Sequence, residues 1–158
     1  MGQVVMHNVV SVDGFIADEH DDVGPLFEWY FNGSVPLTDD GPFRVSQASA
    51  DVVKAAWASI GSLVIGRHLF DITNGWEGVP PAGGSHVVVV SHRARPDGWH
   101  PDAPFDFVDD VSDGIARAQE VAGDETIGVA AGDVGGQALA LGHVDVVAMD
   151  VVPVAFGT

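Results

Sequence analysis

Leu63-Val64-Ile65-Gly66-Arg67-His68-Leu69-Phe70-Asp71 is the stretch on which the reading of the fold turns. Three consecutive apolar residues, bounded by a glycine and too few for a helix, form a short buried strand. Gly66 turns the chain, and Arg67 to Asp71 open a helix or helical turn. Upstream, Ser46-Gln47-Ala48-Ser49 precedes apolar residues Val52, Val53, Ala56, Trp57 and Ile60 at three- and four-residue spacing, which predicts a helix stopped by Gly61. Further back, Gln3 to Val10 is rich in β-branched residues and ends in the turn-prone Ser11-Val12-Asp13-Gly14, so it reads as the first strand. Asp18 to Ser46 shows no sustained periodicity. It reads as a long loop with a short helical turn around Leu26 to Phe31, and its aromatic residues Phe27, Trp29, Tyr30 and Phe31 argue against disorder.

Downstream, Val87 to Val90 is a second all-apolar strand, Phe105 to Val108 a third short one, and Val111 to Ala122 a helix. Strand, Gly-rich turn, helix and strand then recur from Thr126 to Val154. Strands alternating with helices in this order predict an α/β fold: a mostly parallel mixed sheet covered on both faces, in three αβα layers. No internal repeat and no Pro-, Ser- or charge-rich linker divides the chain, so residues 1–158 read as one domain.

With 158 residues and 46% hydrophobic content the chain buries a core without disulfides, and it has no cysteine to form them. Thiolate metal sites and cysteine nucleophiles are excluded with it. Six basic against twenty-three acidic side chains give a formal charge of −17, which repels nucleic acid and anionic membranes; neither is expected as a partner. The amino terminus lacks an export or lipidation pattern, and the longest aliphatic run, Val87 to Val90, is far shorter than the roughly 20 residues of a membrane span. A cytoplasmic protein is the expectation.

Three segments at the carboxyl ends of expected strands are candidates for ligand binding, the edge where open α/β sheets bind ligands. Gly66-Arg67-His68 offers close backbone approach and a helix start. Ser91-His92-Arg93-Ala94-Arg95 offers one hydroxyl and two guanidinium groups suited to a phosphate. Arg67, Arg93 and Arg95 are half of the chain's basic residues, and their gathering in these two segments points to an anion. Ala131-Gly132-Asp133-Val134-Gly135-Gly136-Gln137 offers a backbone cradle for a pyrophosphate, although it is not the G-x-G-x-x-G fingerprint. The seven histidines show no metal-ligand spacing and there is no G-x-S-x-G elbow, so no metal site and no serine hydrolase are expected.

Taken in order, these segments resemble the dihydrofolate-reductase-like superfamily, in the branch related to the reductase domain of bacterial riboflavin biosynthesis. Ser11-Val12-Asp13-Gly14-Phe15-Ile16-Ala17 is similar to that branch's S-x-D-G-x-I-A signature, and Val64 to Asp71 to its G-R element. Val89 to Arg93 and Gly132 to Leu139 stand in the third and fourth positions. The resemblance implies an NADPH-dependent reductase. In it Arg67, Ser91, His92 and Arg93 hold the adenosine 2′-phosphate side, Gly66 and His68 are cofactor-binding neighbours, Gly132, Asp133, Val134 and Gly135 receive the pyrophosphate, and Ile16 and Ala17 lie against the nicotinamide. It implies hydride transfer to a C=N or C=O of a small, heteroaromatic or pyrimidine-type substrate, with the proton from water or from Asp13, the candidate catalytic residue.

Trp29 is a candidate for stacking on a flat substrate, although aromatic residues in a long loop also serve to pin it. Asp51 is the only carboxylate near the position that grips a pterin in dihydrofolate reductases, and a first-turn residue favoured by the helix dipole explains it better. Few cations beyond Arg44 and Lys54 remain for a substrate phosphate. The resemblance implies a further strand or hairpin after Val152-Pro153-Val154, so the expectation is either that the sequence is shortened there or that a partner chain, in a homodimer, completes the edge. The rival expectation is a catalytically weak nucleotide-binding or dimerisation module on the same fold.

Overall fold

The computed structural model describes residues 1–39 and 41–157. Along the chain come strand β1 (Val4–Ser11), a 3-10 turn (Gly24–Phe31), the two-residue strands β2 (Val35–Pro36) and β3 (Arg44–Val45), and helix α1 (Gln47–Ala58). Then follow β4 (Ile60–Gly66), α2 (Arg67–Thr73), β5 (His86–Val90), β6 (Phe105–Val108), α3 (Val111–Ala122), β7 (Thr126–Ala130), α4 (Asp133–Ala140) and β8 (Val146–Val152). The long loop expected over Asp18 to Ser46 is interrupted by the 3-10 turn and the β2–β3 hairpin. The six main strands form one sheet in the order β6-β5-β4-β7-β1-β8. The pairs β5/β6, β4/β5, β4/β7 and β1/β7 are all parallel, as the alternation of strands and helices requires.

Contacts divide the chain into two compact units, Met1–His7 with Ala58–Ala148 and Asn8–Trp57 with Met149–Thr158, where the sequence reading has one domain. In the first unit the strands β4, β5 and β7 are buried on both faces. Val64, Val88, Ile127 and Val129 face a core shared with Ile115 and Ala118 of α3 and Val134 and Ala138 of α4. Ile65, Val87 and Val89 point the other way, against Phe70 of α2 and Phe105. Neighbouring residues of one strand thus enter opposite cores, which is why Val87 to Val90 of β5 is an unbroken run of valines. Helix α3 is capped by Asp110, whose carboxylate accepts from the N–H of Ser112 at 2.7 Å and of Asp113 at 3.2 Å.

Gly61 does not stop the first helix. That helix ends at Ala58, and Gly61 lies inside β4, a strand longer than its apolar triplet suggests. A Cβ at Gly61 would lie 2.9 Å from the Ala122 Cβ and 2.8 Å from the Glu125 Cβ, so the residue is glycine because the end of α3 crosses there.

The second unit has its own core of Tyr30, Leu37, Val45, Ala50 and Val53, with Trp29, Phe43 and Trp57 packed against it. Tyr30 is at the centre of the ring contacts: Trp29 stacks on it at 4.0 Å, and Phe43 and Trp57 lie 5.2 and 6.3 Å away. Burial, reinforced by the charge of Asp150, pushes its hydroxyl up to about 12. No helix among the described residues is long and apolar enough to cross a membrane.

Candidate functional site

In the first unit β5, β4 and β7 are adjacent and parallel, and the register pairs Gly66 with Val90 and Val64 with Val129. With strands about 4.8 Å apart, the segments leaving their carboxyl ends start side by side. These are the three segments beginning at Gly66, Ser91 and Ala131.

Arg67, the first residue of α2, has a side chain only 17% exposed. Its Nε donates to Asp71 Oδ1 at 2.7 Å, one helical turn on. Its Nη1 reaches the segment after β5, donating to the carbonyls of Ala94 at 3.1 Å and Arg93 at 3.3 Å and, more weakly, to Ser91 Oγ at 3.5 Å. Ser91 Oγ accepts from the N–H of Arg93 at 3.0 Å and donates to its carbonyl at 2.8 Å, which folds the segment into a tight turn. The Arg93 guanidinium then returns to Asp71 Oδ2 at 2.7 Å. Asp71 therefore joins two cations, one oxygen to each. The Arg67 hydrogen bond is the main force holding its carboxyl below the usual carboxylate range, with Arg93 adding to it against some desolvation.

The third segment is built from backbone. Gly132 has φ 91° and ψ −151°, a conformation open essentially to glycine alone. It stands at the N-cap of α4 with no side chain capping the first turn, so the N–H groups of Asp133, Val134 and Gly135 are left to a ligand or solvent. Close packing brings that turn onto the sheet. A Cβ at Gly135 would lie 2.6 Å from the Ala130 carbonyl oxygen, and one at Gly66 would lie 3.2 Å from Val134 Cγ2. The tip of β4 and the first turn of α4 therefore touch.

Several assignments change in detail. The Val134 side chain is buried in the core, so only its N–H can face a ligand. Asp133 accepts from Gln137 Nε2 at 2.8 Å and adds a negative charge where an anion was expected. His68 and His92 are exposed. Arg95 leaves the site: its guanidinium donates to the carbonyls of His100 at 2.7 Å and Ala103 at 3.2 Å and lies over the Trp99 ring at 5.1 Å, fastening the loop before β6. Two cations, not three, stand at these strand ends. Asp71, the last residue of the Leu63 to Asp71 stretch, is a site residue with no role in the sequence-based expectation. The signal was there, an Arg and an Asp four apart on one helix.

In the second unit Asp13 is exposed and engaged. It accepts from the N–H of Gly157 at 2.8 Å and of Phe156 at 3.3 Å. Hydrogen bonding to Ser11, then to Gly157, holds its carboxyl below the ordinary range. Ile16 is exposed and Ala17 half-buried. Trp29 pins the loop through its stack on Tyr30, and its buried indole Nε1 has no partner among the described residues. Asp51 accepts from Gln47 Nε2 at 2.7 Å. Because α1 starts at Gln47, Asp51 lies beyond the first turn, and the helix-dipole explanation offered for it does not hold.

A groove of about 390 Å³ between β6 and α3 is lined by Asp106, Asp113, Arg117 and Glu120 among others. With three carboxylates to one guanidinium it is unsuited to a phosphate.

No family model and no curated protein sequence matches the chain. Solved structures do. A structure described as a riboflavin biosynthesis protein from Shewanella sp. PV-4 superposes with a TM-score of 0.66 at 19% identity, over 98% of this chain and 79% of that one. A diaminohydroxyphosphoribosylaminopyrimidine deaminase/5-amino-6-(5-phosphoribosylamino)uracil reductase from Thermotoga maritima matches with a TM-score of 0.60 at 17% identity, over 99% of this chain. The present chain spans about half, 46%, of that protein's length. At these identities the likeness speaks for architecture alone: the chain shares the α/β fold of these two proteins, the fold that the resemblance to the dihydrofolate-reductase-like superfamily implies.

Proposed function

We propose that the chain is an NADPH-dependent reductase. The observation that carries this reading is the meeting of Arg67, Ser91 and Arg93 beside an uncapped, glycine-led helix start on the next strand. Two guanidinium groups and a hydroxyl suit a terminal phosphate monoester, and the N–H groups of residues 133–135 suit a pyrophosphate. The residues present therefore fit the phosphate-bearing half of a phosphorylated dinucleotide.

When bound, the reduced nicotinamide supplies the hydride. The chain's own groups bind and orient: Arg67 and Arg93 the 2′-phosphate, α4 the pyrophosphate. The acceptor in this reading is a C=N or C=O carbon of a small heteroaromatic or pyrimidine-type compound, a class suggested by the description of the Thermotoga maritima protein. Water or Asp13 delivers the proton; the Asp13 carboxylate is engaged by the N–H groups of Phe156 and Gly157. That same engagement of Asp13 favours a second reading, a nucleotide-binding module with weak turnover.

Titration of the protein with NADPH and with NADH, followed by nicotinamide fluorescence, tests both. Binding of NADPH with oxidation on addition of a pyrimidine substrate supports the reductase. Binding without oxidation across a panel of heteroaromatic carbonyl and imine compounds supports the module, and failure to bind either dinucleotide ends both.

A further inference from the structure

The carboxylate of Asp71 sits where an incoming phosphate would have to make its contacts, and the two arginines it joins are held very differently. Arg67 is fixed: Nε is taken by Asp71 and Nη1 by the carbonyls of Arg93 and Ala94. Arg93 is 67% exposed, and its guanidinium is tethered through Nη2 to Asp71 Oδ2 at 2.7 Å. Arg93 is therefore the cation free to swing. Asp71 is both its tether and a negative charge beside any anion it receives.

We propose that Asp71 is a specificity-determining residue that restrains the preference of this site for a 2′-phosphorylated over an unphosphorylated dinucleotide. The inference rests on the nucleotide-binding reading above. A phosphate reaching both guanidinium groups comes within roughly 6 Å of the Asp71 carboxylate. At the high effective dielectric of a surface site, repulsion between that carboxylate and a phosphate dianion is worth about a tenfold loss of affinity. Against it stands the benefit of holding Arg93 in place, and exposed ion pairs of this kind are worth a fewfold at most. The repulsion wins. The arginine pair carries two positive charges, and Asp71 cancels one of them for every ligand except one that displaces it.

The test uses Asp71→Asn and Asp71→Glu in the full chain, with dissociation constants for NADPH and NADH from fluorescence and for adenosine 2′-phosphate from calorimetry. Asp71→Asn is expected to tighten NADPH and adenosine 2′-phosphate about tenfold, to leave NADH within about twofold, and to steepen the salt dependence of NADPH binding. Asp71→Glu, which keeps the charge, is expected to retain the wild-type ratio. A folded Asp71→Asn protein whose NADPH-to-NADH ratio is unchanged or reduced overturns the proposal. If the wild-type chain binds neither dinucleotide, the reductase reading falls on its own. Adenosine 2′-phosphate then decides the role of Asp71, with tighter binding to Asp71→Asn upholding it and no change overturning it.

Discussion

Replacing Arg67 by alanine separates the phosphate reading from a merely structural one. In the free protein the side chain ties α2 to the segment after β5 through one carboxylate and up to three loop oxygens. Asp71 is substantially exposed, so the ion pair between them, screened by solvent, adds well under ~1 kcal/mol to stability. A charge-assisted hydrogen bond to a phosphate is worth about 1.5–3 kcal/mol. With tenfold per 1.4 kcal/mol, its loss weakens NADPH by about tenfold to about 150-fold. NADH lacks the phosphate and feels only the loosening of the Ser91 turn, an effect of about threefold or less. The assay is parallel fluorescence titration of the two dinucleotides, with circular dichroism and thermal melting to verify that the variant is folded. Equal losses for both ligands, or no loss for either, would refute the assignment of Arg67 to a terminal phosphate.

Three further outcomes are expected. Gly135→Ala places a Cβ 2.6 Å from the Ala130 carbonyl oxygen, a backbone atom that cannot swing aside, so α4 must shift. It should cost about 1–3 kcal/mol in urea unfolding and weaken NADPH and NADH alike, since both carry the pyrophosphate. Burial raises the Asp106 carboxyl, but hydrogen bonds from Arg117 and His86 outweigh it and leave the group below its ordinary 3.8. A carboxyl depressed on folding stabilises the protein above its unfolded pKa, and that contribution is lost as pH falls through the folded value. The stability gap between wild type and Asp106→Asn should therefore be widest near neutrality and close below about pH 4, and a gap independent of pH would contradict the ion-pair assignment. Tyr30 is the only tyrosine, so absorbance reads it directly. Its ionisation should be delayed from near 10 to about 12 in the folded chain, with stability lost as pH rises between those values. A midpoint near 10 without unfolding would contradict its burial.

The strands and helices were legible because each carries its own local signature. Val87 to Val90 has no polar residue to turn toward water, and Val111 to Ala122 carries a helical pattern of apolar residues; both elements are observed within a residue of expectation. Gly61 misled because the role of a glycine depends on what approaches it, and the approach of Ala122 and Glu125 is a long-range contact. Arg95 misled for the same reason. A guanidinium beside two others in sequence reads as part of one anion site, and only the fold shows its hydrogen bonds going to the carbonyls of His100 and Ala103.

By itself the amino-acid sequence determined the alternation of strand and helix, hence a parallel sheet with glycine- and arginine-bearing tips at its carboxyl edge, since periodicity and turn chemistry act over a few residues. Tertiary structure decided which tips are neighbours, which cations remain beside them, and that Asp71 stands between two of them. Apart from the local Arg67–Asp71 pair, these depend on strand order and side-chain direction across gaps of more than twenty residues, as between Asp71 and Arg93, where hydrogen-bond geometry leaves no trace in local spacing.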